Sequence, residues 1–402
     1  MAASPRTARA INDRLALRLL QQEGPLTAGQ LKQLTGLSRP TVADLAERLT
    51  AAGLITVVGE AGEQRRGPNA KVYGIVADRA HLAALDVRTE SVAVVVSDLV
   101  GTVLAEASAP IAPAAGTGPA VERAVTLVER TLKEAGADRL HTVGVGAPGL
   151  IDPASGDLRD STGLPQWHRL LVAALQDRLP EARVSLENET NLAALAEQRD
   201  GAARDRDTFV LLWLGHGTGA AVILDGALRR GASGGTGEIG FLPVPGTPGL
   251  PSATDCGGGF HSLASAAAVA ELAGEHGVVA EPGVEPAAAG AVRAAAARAG
   301  EEPGSADARF LDALADRVAV GVASVAALLD PGCVVLGGEI GQAGGGELAA
   351  RVQDRTARMS PLPTEVRASV LGGGAVLRGA LLTARDHAQD ELFGPTVQGH
   401  AP

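Results

Sequence analysis

The sequence contains few cysteines and few aromatic residues. Cys256 and Cys333 are the 2 cysteines of the chain, too few for a disulfide framework, an iron–sulfur cluster or a zinc ribbon built on several thiolates. Aromatic residues make up 2% of the chain, which argues against contact with nucleic acid through bases stacked on aromatic side chains. These absences exclude several classes of redox, metal and single-strand-binding protein.

Long hydrophobic runs are also missing. No apolar stretch approaches the roughly 20 residues that cross a membrane. The N-terminal residues carry Arg6 and Arg9 and are not followed by the apolar core of a signal peptide. We therefore expect a cytoplasmic protein without a membrane partner.

The charge is distributed unevenly along the chain. Residues 1–80 hold 11 Lys and Arg against 7 Asp and Glu, whereas the remainder holds 24 against 39. A basic N-terminal segment on an acidic protein indicates that only this segment approaches a polyanion. The length of 402 residues allows two or three domains with buried cores. We place one boundary between residues 1–78, called the head, and residues 79–402, called the body.

The head has the pattern of three helices. Apolar residues recur at helical spacing from residue 8 to residue 20, and Thr27 can cap a short second helix. Ser38 can cap a third helix that ends near Ala52, with Pro40 in its first turn. The spacing in this third helix directs four apolar residues toward the core: Val42, Leu45, Ala46 and Leu49.

A hairpin with a basic tip follows the helices. Two β-rich runs, 54–58 and 71–76, are joined by a polar loop that contains Arg65 and Arg66. This order is typical of a winged helix-turn-helix, whose third helix enters the major groove of DNA while the wing reaches phosphates. The candidate DNA-binding residues are Ser38, Arg39, Thr41, Arg48, Arg65 and Arg66. The alternative is a protein-interaction module with a solvated cluster of charges.

The body alternates strands and helices after an initial series of hairpins. Strand-like runs are 82–87, 92–97 and 102–105, a helix covers about 119–135, and further strands include 142–145, 183–186, 209–214 and 220–224. Long Ala-rich helices fill residues 262–329, and a strand, a turn and a helix follow over 333–351. This order predicts an α/β protein of two lobes.

Several motifs, in their order along the chain, carry a family resemblance. The chain contains Glu187-Asn188-Glu189-Thr190-Asn191, then Gly215-His216-Gly217-Thr218-Gly219, then Gly237-Glu238-Ile239-Gly240. It resembles the ROK family of repressors and sugar kinases from about residue 11 to residue 388. The head resembles that of the repressor branch, in which Leu37-Ser38-Arg39-Pro40 would open the recognition helix. The resemblance implies a winged helix-turn-helix followed by a two-lobed, actin-like ATPase domain of the ribonuclease-H-like kind.

The resemblance also implies where this chain departs from the kinases of the family. Their phosphate-binding turn has the pattern Asp-x-Gly-Gly-Thr, and here it begins at Asp86, with Arg88 and Thr89 in place of the glycines. Side chains there hinder the approach of phosphate to the backbone, so we expect that ATP binding is lost and that the chain is not an enzyme. The kinases' Asn-Asp pair, whose Asp is the catalytic base, is here Asn188-Glu189. The longer Glu misplaces the base but keeps an acceptor for a sugar hydroxyl.

The zinc site implied by the resemblance lacks most of its ligands. Phe241 stands where the family has a His, and the loop that carries its Cys ligands keeps one thiol, that of Cys256. We therefore expect no metal and no other cofactor, with the loop closed by packing of Phe241 and Phe260. Glu238 matches a sugar-contacting Glu of the family, and His261 takes the place of a second one if the loop is shortened by two residues.

Each candidate effector-binding residue also has a purely structural interpretation. Asn188 and Glu189 can cap the helix that follows them. Glu238 can hold its loop by hydrogen bonds, and His261 can be a histidine whose polar atoms are satisfied by its surroundings. We carry all four forward as candidates for contact with the effector.

The predicted function is a DNA-binding transcriptional repressor whose catalytically inactive body senses a sugar or sugar derivative. The resemblance implies a homodimer or homotetramer assembled through the body, so that two heads would bind the half-sites of a palindromic operator in double-stranded DNA. Two alternatives stay open. One is an ATP-dependent sugar kinase with an appended DNA-binding head, and the other is a ligand-free regulator that uses the body as a dimerisation scaffold.

Overall fold

The structure is a computed structural model of the chain. It describes residues 5–61, 69–112, 114–159, 164–247, 249–253, 257–280, 286–299 and 304–393. None of the helices in these ranges is long and apolar enough to cross a membrane.

The head consists of three helices and a small antiparallel sheet. Its elements are α1 (Pro5–Glu23), β1 (Leu26–Thr27), α2 (Ala28–Thr35), α3 (Arg39–Ala51), β2 (Ile55–Ala61) and β3 (Ala70–Ile75). The sheet has the strand order β1-β3-β2. The four apolar residues predicted to face the core from α3 are all buried. The three helices followed by a hairpin therefore form the winged helix-turn-helix predicted from the sequence.

Local side-chain hydrogen bonds explain where the head helices begin. The Thr27 hydroxyl accepts a hydrogen bond from the Gln30 amide, and the Gln30 side chain accepts one from the Thr27 amide, which forms a complete capping box. Gly36 ends α2 with a φ of 71°, a conformation that glycine adopts without strain. The Ser38 hydroxyl then caps α3 by accepting from the Thr41 amide at 3.3 Å. These caps confirm the sequence predictions for Thr27 and Ser38.

Loss of the Ser38 cap is expected to destabilise the head. In Ser38→Ala the Thr41 amide loses its acceptor, and such a change lowers the free energy of unfolding by about 1 kcal/mol. Urea unfolding of the full-length protein, followed by circular dichroism, measures the difference. Ser38→Asn restores a capping acceptor and serves as the control. Equal unfolding midpoints for Ser38→Ala and the unchanged protein would contradict the role of this cap.

The first lobe of the body contains a mixed sheet of 5 strands in the order β6-β5-β4-β7-β8. The strands are β4 (His81–Arg88), β5 (Ser91–Asp98), β6 (Val103–Pro110), β7 (Thr142–Ala147) and β8 (Arg183–Asn188). The helices α4 (Thr117–Glu134) and α5 (Gln166–Arg178) follow β6 and β7. Strands β4, β5 and β6 are antiparallel hairpin partners, whereas β4, β7 and β8 run parallel.

The second lobe repeats this arrangement with the strand order β11-β10-β9-β12-β13. Its strands are β9 (Phe209–Leu214), β10 (Thr218–Leu224), β11 (Ala227–Arg229), β12 (Cys333–Gly337) and β13 (Glu365–Ala368). Its helices include α7 (His261–Ala264), α8 (Ala266–Glu275), α9 (Ala287–Arg298), α10 (Ala306–Leu329) and α11 (Gly338–Met359), the last broken at Gly345. Two sheets with three antiparallel strands followed by parallel ones confirm the predicted two-lobed α/β fold.

Two helices cross between the lobes. Helix α6 (Glu189–Asp200) leaves the first sheet and packs against β9 and β10 of the second lobe, whereas α12 (Ala375–Leu392) leaves the second lobe and packs against β4 and β7 of the first. They cross at Gly379, where a Cβ atom would stand 2.0 Å from the carbonyl oxygen of Leu192. The absence of a side chain at Gly379 therefore permits the close approach of α6 and α12.

The head packs directly on the body. The core residues of the head and those of the body on this side of the molecule form one continuous apolar cluster. Gln21 of α1 donates to the carbonyl oxygen of Val100 at 3.0 Å and accepts from Gln389 of α12 at 2.8 Å. The predicted boundary at residue 78 falls within a 3-10 helix, Ala77–Arg79, and stays a prediction.

Candidate functional site

The N-terminus of α3 is a candidate DNA-binding surface. Ser38 and Arg39 are exposed and Thr41 is partly exposed. The hydroxyls of Ser38 and Thr41 lie 2.8 Å apart, so these two side chains hold each other in place. Within the described residues the Arg39 guanidinium has no hydrogen-bonding or ionic partner, which leaves its five N–H donors free for an external acceptor.

Arg48, by contrast, is occupied within the head. Its guanidinium contacts the carboxylate of Asp13 on α1 at 2.5 Å and also that of Asp44 one turn earlier on α3. The hydrogen bond that Arg48 donates to Asp13 is the main cause that raises the pKa of Arg48. A DNA phosphate would have to compete with these carboxylates, so Arg48 stays a weaker candidate than Arg39. Arg65 and Arg66 of the predicted wing tip lie outside the described residues.

The cleft between the two lobes is bridged by Arg88. Its Nε donates to Asp86 at 3.0 Å within the first lobe. One terminal nitrogen donates to Glu339 at the start of α11 at 3.0 Å, and the other lies 3.4 Å from the carbonyl oxygen of Gly373. The guanidinium therefore fills the turn that the resemblance assigns to nucleotide phosphates and joins both lobes. The backbone carbonyl of Arg88 lies 3.3 Å from Nε2 of His168, which is itself buried.

Glu189, at the first position of α6, lies among the charges of this cleft. Its burial, together with the negative charges of Asp86, Glu339 and Glu238, raises the pKa of Glu189 to about 8, although Arg88 opposes the shift. Burial also raises the pKa of Asp86, whose exposed fraction is 4%. One Asp86 carboxylate oxygen has no hydrogen-bond partner within the described residues. At neutral pH, Glu189 is therefore mainly protonated and can both donate and accept hydrogen bonds.

Asn188 caps α6, which is the structural role that the sequence left open for it. Its side-chain oxygen caps α6 by accepting from the Thr190 amide at 2.8 Å and the Asn191 amide at 3.3 Å. Its amide nitrogen donates to the carbonyl oxygen of Gly149 at 2.9 Å, which ties the helix start to the loop after β7. Contact of Asn188 with an effector stays a prediction, limited to the second N–H of its amide.

Glu238 precedes the 3-10 helix Ile239–Phe241, and His261 begins α7, which packs against that 3-10 helix. A Cβ at Gly240 would stand 3.6 Å from Cβ of His261, and one at Gly259 would stand 2.4 Å from the Gly240 carbonyl oxygen. Burial raises the pKa of Glu238 and lowers that of His261, with a further lowering of the latter by the nearby His216. Both residues are thus driven toward their neutral forms, which suit hydrogen bonds to hydroxyl groups.

The sequence predicts that Phe241 and Phe260 close the loop at the position of the zinc site implied by the resemblance. This prediction is only half correct. Phe260 is fully buried against Gly321, where an added Cβ would come within 2.5 Å of its ring. Phe241 instead remains 38% exposed, because its side chain lies at an apolar surface groove beside Leu328 and does not close the loop. A phenyl ring at the position of a zinc ligand does not fit a zinc site, and Cys256 lies outside the described residues.

Two charged partners of the cleft were not singled out from the sequence. Glu339 follows Gly337-Gly338, which the sequence marks only as a glycine-rich turn. Arg230 donates from Nε to the carboxylate of Glu187 at 2.6 Å. The sequence did indicate that a carboxylate partner exists, because an arginine that replaces a phosphate-binding glycine needs one once it is buried. It did not indicate that Glu339 is this partner.

Comparisons with known proteins address both parts of the chain. The model of the ROK family matches residues 82–387, and a MarR family model matches residues 10–67. The chain is 25% identical to a xylose repressor of Caldicellulosiruptor bescii over 58% of this chain and 59% of that protein. It is 29% identical to a glucokinase of Thermotoga maritima over 63% of this chain and 84% of that enzyme.

A solved structure resembles the whole described chain. It is the crystal structure of a ROK family transcriptional regulator, a homologue of the Escherichia coli MLC protein, with a TM-score of 0.74 and 22% identity. The match covers 96% of this chain and 98% of that one, and at this identity it concerns the fold. The chain spans only 59% of the length of the xylose repressor that it matches.

Proposed function

We propose, from the premise that this chain belongs to the ROK family, that it is a DNA-binding transcriptional repressor whose body senses a sugar or sugar derivative without phosphorylating it. The observation that carries the proposal is the bridge formed by Arg88 between Asp86 and Glu339. The chain also has a winged helix-turn-helix, in which Arg39 has no hydrogen-bonding or ionic partner among the described residues. The proteins similar to this chain include a xylose repressor and a glucokinase. The chemistry of the cleft must therefore decide between gene regulation and phosphoryl transfer.

The cleft lacks the conditions for phosphoryl transfer. A triphosphate in the turn after β4 would displace Arg88 from Asp86 and Glu339, and it would then face both of these carboxylates. Phosphoryl transfer also needs a base that can accept the proton of the sugar hydroxyl. With a pKa of about 8, Glu189 is mainly protonated at neutral pH, so only a minor fraction of the protein holds it in the form that can accept this proton. Both effects act against phosphoryl transfer, and both arise from the cluster of charges around Arg88.

The same groups remain suitable for binding a sugar. Neutral Glu189 can donate and accept hydrogen bonds, and Glu238 and His261 lie on adjoining segments of the second lobe. Arg88 joins the two lobes. A ligand bound among these residues can therefore change the separation of the lobes if it binds one arrangement of the lobes more tightly than another. The direct packing of α1 on α12 would carry that change to the head.

We expect that the chain binds DNA as a homo-oligomer. In a homodimer or homotetramer assembled through the body, two heads would bind half-sites of a palindrome about 34 Å apart, or a multiple of this distance. Ser38, Arg39 and Thr41 would contact base edges or phosphates, with Arg65 and Arg66 on the wing. A protein that binds chromosomal operators in this way would act in the cytoplasm.

A selection of bound DNA fragments by the purified full-length protein tests the proposal. We expect enrichment of a palindromic sequence, and a change in its affinity when the cognate sugar from a panel of sugars and sugar derivatives is added. ATP should not be hydrolysed with any of these sugars. Sugar-specific ATP hydrolysis that is lost in Glu189→Gln would instead support the kinase with an appended head. Full DNA affinity without binding of any sugar would support the ligand-free regulator that uses the body as a dimerisation scaffold.

A further inference from the structure

A polar cavity lies at the junction between the head and the body. It has a volume of about 470 Å³ and is lined from the head by Arg14, Arg18 and Gln21 of α1. From the body it is lined by Arg199 of α6 and by residues of α12, including Arg385. We propose that this cavity, called the junction pocket, binds a small phosphate-bearing anion. This site is separate from the sugar site proposed above and does not depend on it.

The charges around the junction pocket do not balance. Arg14 pairs with Asp390, and Arg199 pairs with Asp386 at 2.8 Å. Those two carboxylates are the acidic groups that line the pocket. Among the described residues, the carboxylate nearest to Arg18 is the already paired Asp390, at 3.9 Å, and the one nearest to Arg385 is the already paired Asp386, at 3.6 Å. Two positive charges therefore lack carboxylates of their own.

Arg385 carries the strongest sign of a missing ligand. Its side chain is 14% exposed and lines the junction pocket. Burial, together with repulsion from Arg199 and Arg378, lowers the pKa of Arg385. The stem of Arg385 lies against Gly101, where an added Cβ would stand 3.6 Å from it, and this packing limits escape of the guanidinium to solvent. A largely buried guanidinium that lies near other arginines and has no carboxylate of its own among the described residues is costly unless an anion binds beside it.

The chemistry of the lining selects the class of ligand. Guanidinium groups bind the oxygens of phosphate through paired N–H donors, and a dianion would offset both uncompensated charges. The cavity is large enough for more than inorganic phosphate, so a phosphorylated metabolite is the other source of the same group. The anion would contact α1 on one side and α12 on the other. Its binding would therefore hold the head in its docked position on the body.

Thermal unfolding of the full-length protein tests this site. Inorganic phosphate replaces chloride at constant ionic strength and pH 7.5, and glucose 6-phosphate is tested beside glucose. We expect the unfolding midpoint to rise with phosphate concentration, and we expect Arg385→Gln to weaken the apparent affinity by about tenfold or more. Arg385→Gln should fold, because it removes a buried charge that lacks its own partner. Arg18→Gln, on the exposed side of α1, should weaken the same response from the head.

The control is Arg130→Gln on α4, which removes one surface arginine at a distance from the pocket. Phosphate stabilises many proteins through its exclusion from their surface, and this general effect must be equal in all variants. A phosphate response of equal size in the unchanged protein, Arg130→Gln and Arg385→Gln would overturn the proposal. So would loss of the response in Arg385→Gln together with full retention in Arg18→Gln, because the anion would then not bridge to the head. A response to glucose 6-phosphate alone would identify the metabolite as the source.

Discussion

Replacement of Arg39 by alanine is expected to weaken binding to the operator by roughly 1–3 kcal/mol, or about 5- to 150-fold, if the guanidinium contacts a guanine through two hydrogen bonds. The structure supports this role because Arg39 is exposed at the first position of α3 and is unpaired among the described residues. No hydrogen bond or ion pair within the described part of the protein is lost in Arg39→Ala. The effect should therefore appear in DNA affinity and not in stability.

The measurement is an affinity titration with the selected operator and with variants of each base pair. Arg39→Ala should relax the preference at one base pair, whereas a phosphate contact would weaken all sequences alike. Arg130→Ala, which removes an exposed arginine of the body, is the matched control and should leave the affinity unchanged. An unaltered footprint and affinity for Arg39→Ala would contradict the assignment of α3 to the major groove.

Arg48 shows why the two arginines of α3 need different experiments. Its guanidinium joins α3 to Asp13 of α1, so Arg48→Ala removes a contact inside the head as well as a positive charge. Reduced DNA binding in that variant would combine both effects. A comparison of its unfolding midpoint with that of Asp13→Asn separates them, because only the first variant removes a group that could contact DNA.

The helices of the head could be predicted from the sequence because the interactions that define them are local, whereas β1 and its pairing with β3 were not predicted. Thr27 and Ser38 cap their helices through groups three residues away, and Gly36 is a glycine where the chain needs a positive φ. The apolar spacing of α3 then fixes which face is buried. The pairing of Arg48 with Asp13 was not predictable in this way, since it depends on how α1 crosses α3.

The cleft depends on contacts between residues distant in sequence, and there the sequence was less informative. It indicated that Arg88 obstructs the phosphate turn, but not that Glu339, 251 residues later, would hold it. Nor did it place Phe241, because the residue that replaces a metal ligand need not fill the same space. Phe260 of the same loop found a partner only because α10 has a glycine, Gly321, at the point of contact.

The positive charge of Arg88 and the neutral state of Glu189 are consistent with each other. Arg88 compensates Asp86 and Glu339, but Glu189 is left beside their negative charges without an ion pair in the described part of the structure. Protonation of Glu189 relieves that repulsion. The side chain of Arg88 at a position where the resemblance implies a glycine and the neutral state of Glu189 are therefore linked through one charge cluster, and a single substitution can test the link.

Glu189→Gln is expected to make the protein more stable at alkaline pH. Burial and neighbouring carboxylates raise the folded-state pKa of Glu189 from 4.5 to about 8. Between these values the folded chain retains a proton that the unfolded chain has released, so the contribution of Glu189 to stability decreases as pH rises and is lost above about 8. Glutamine keeps the neutral hydrogen-bonding groups at every pH. The gain above pH 8 should be on the order of 2 kcal/mol, after allowance for the partial exposure of the side chain.

Urea midpoints of the two proteins at intervals from pH 5 to pH 9 provide the measurement. They should agree near pH 5, where the folded carboxyl is protonated, and diverge as the pH increases. Glu134→Gln on α4, whose carboxylate lies 3.6 Å from Arg130 at the surface, is the matched control and should not produce this divergence. Parallel curves for Glu189→Gln and the unchanged protein would mean that Glu189 ionises normally in the cleft. The former base would then be available at neutral pH, and the obstruction by Arg88 would remain the sole physical ground against phosphoryl transfer.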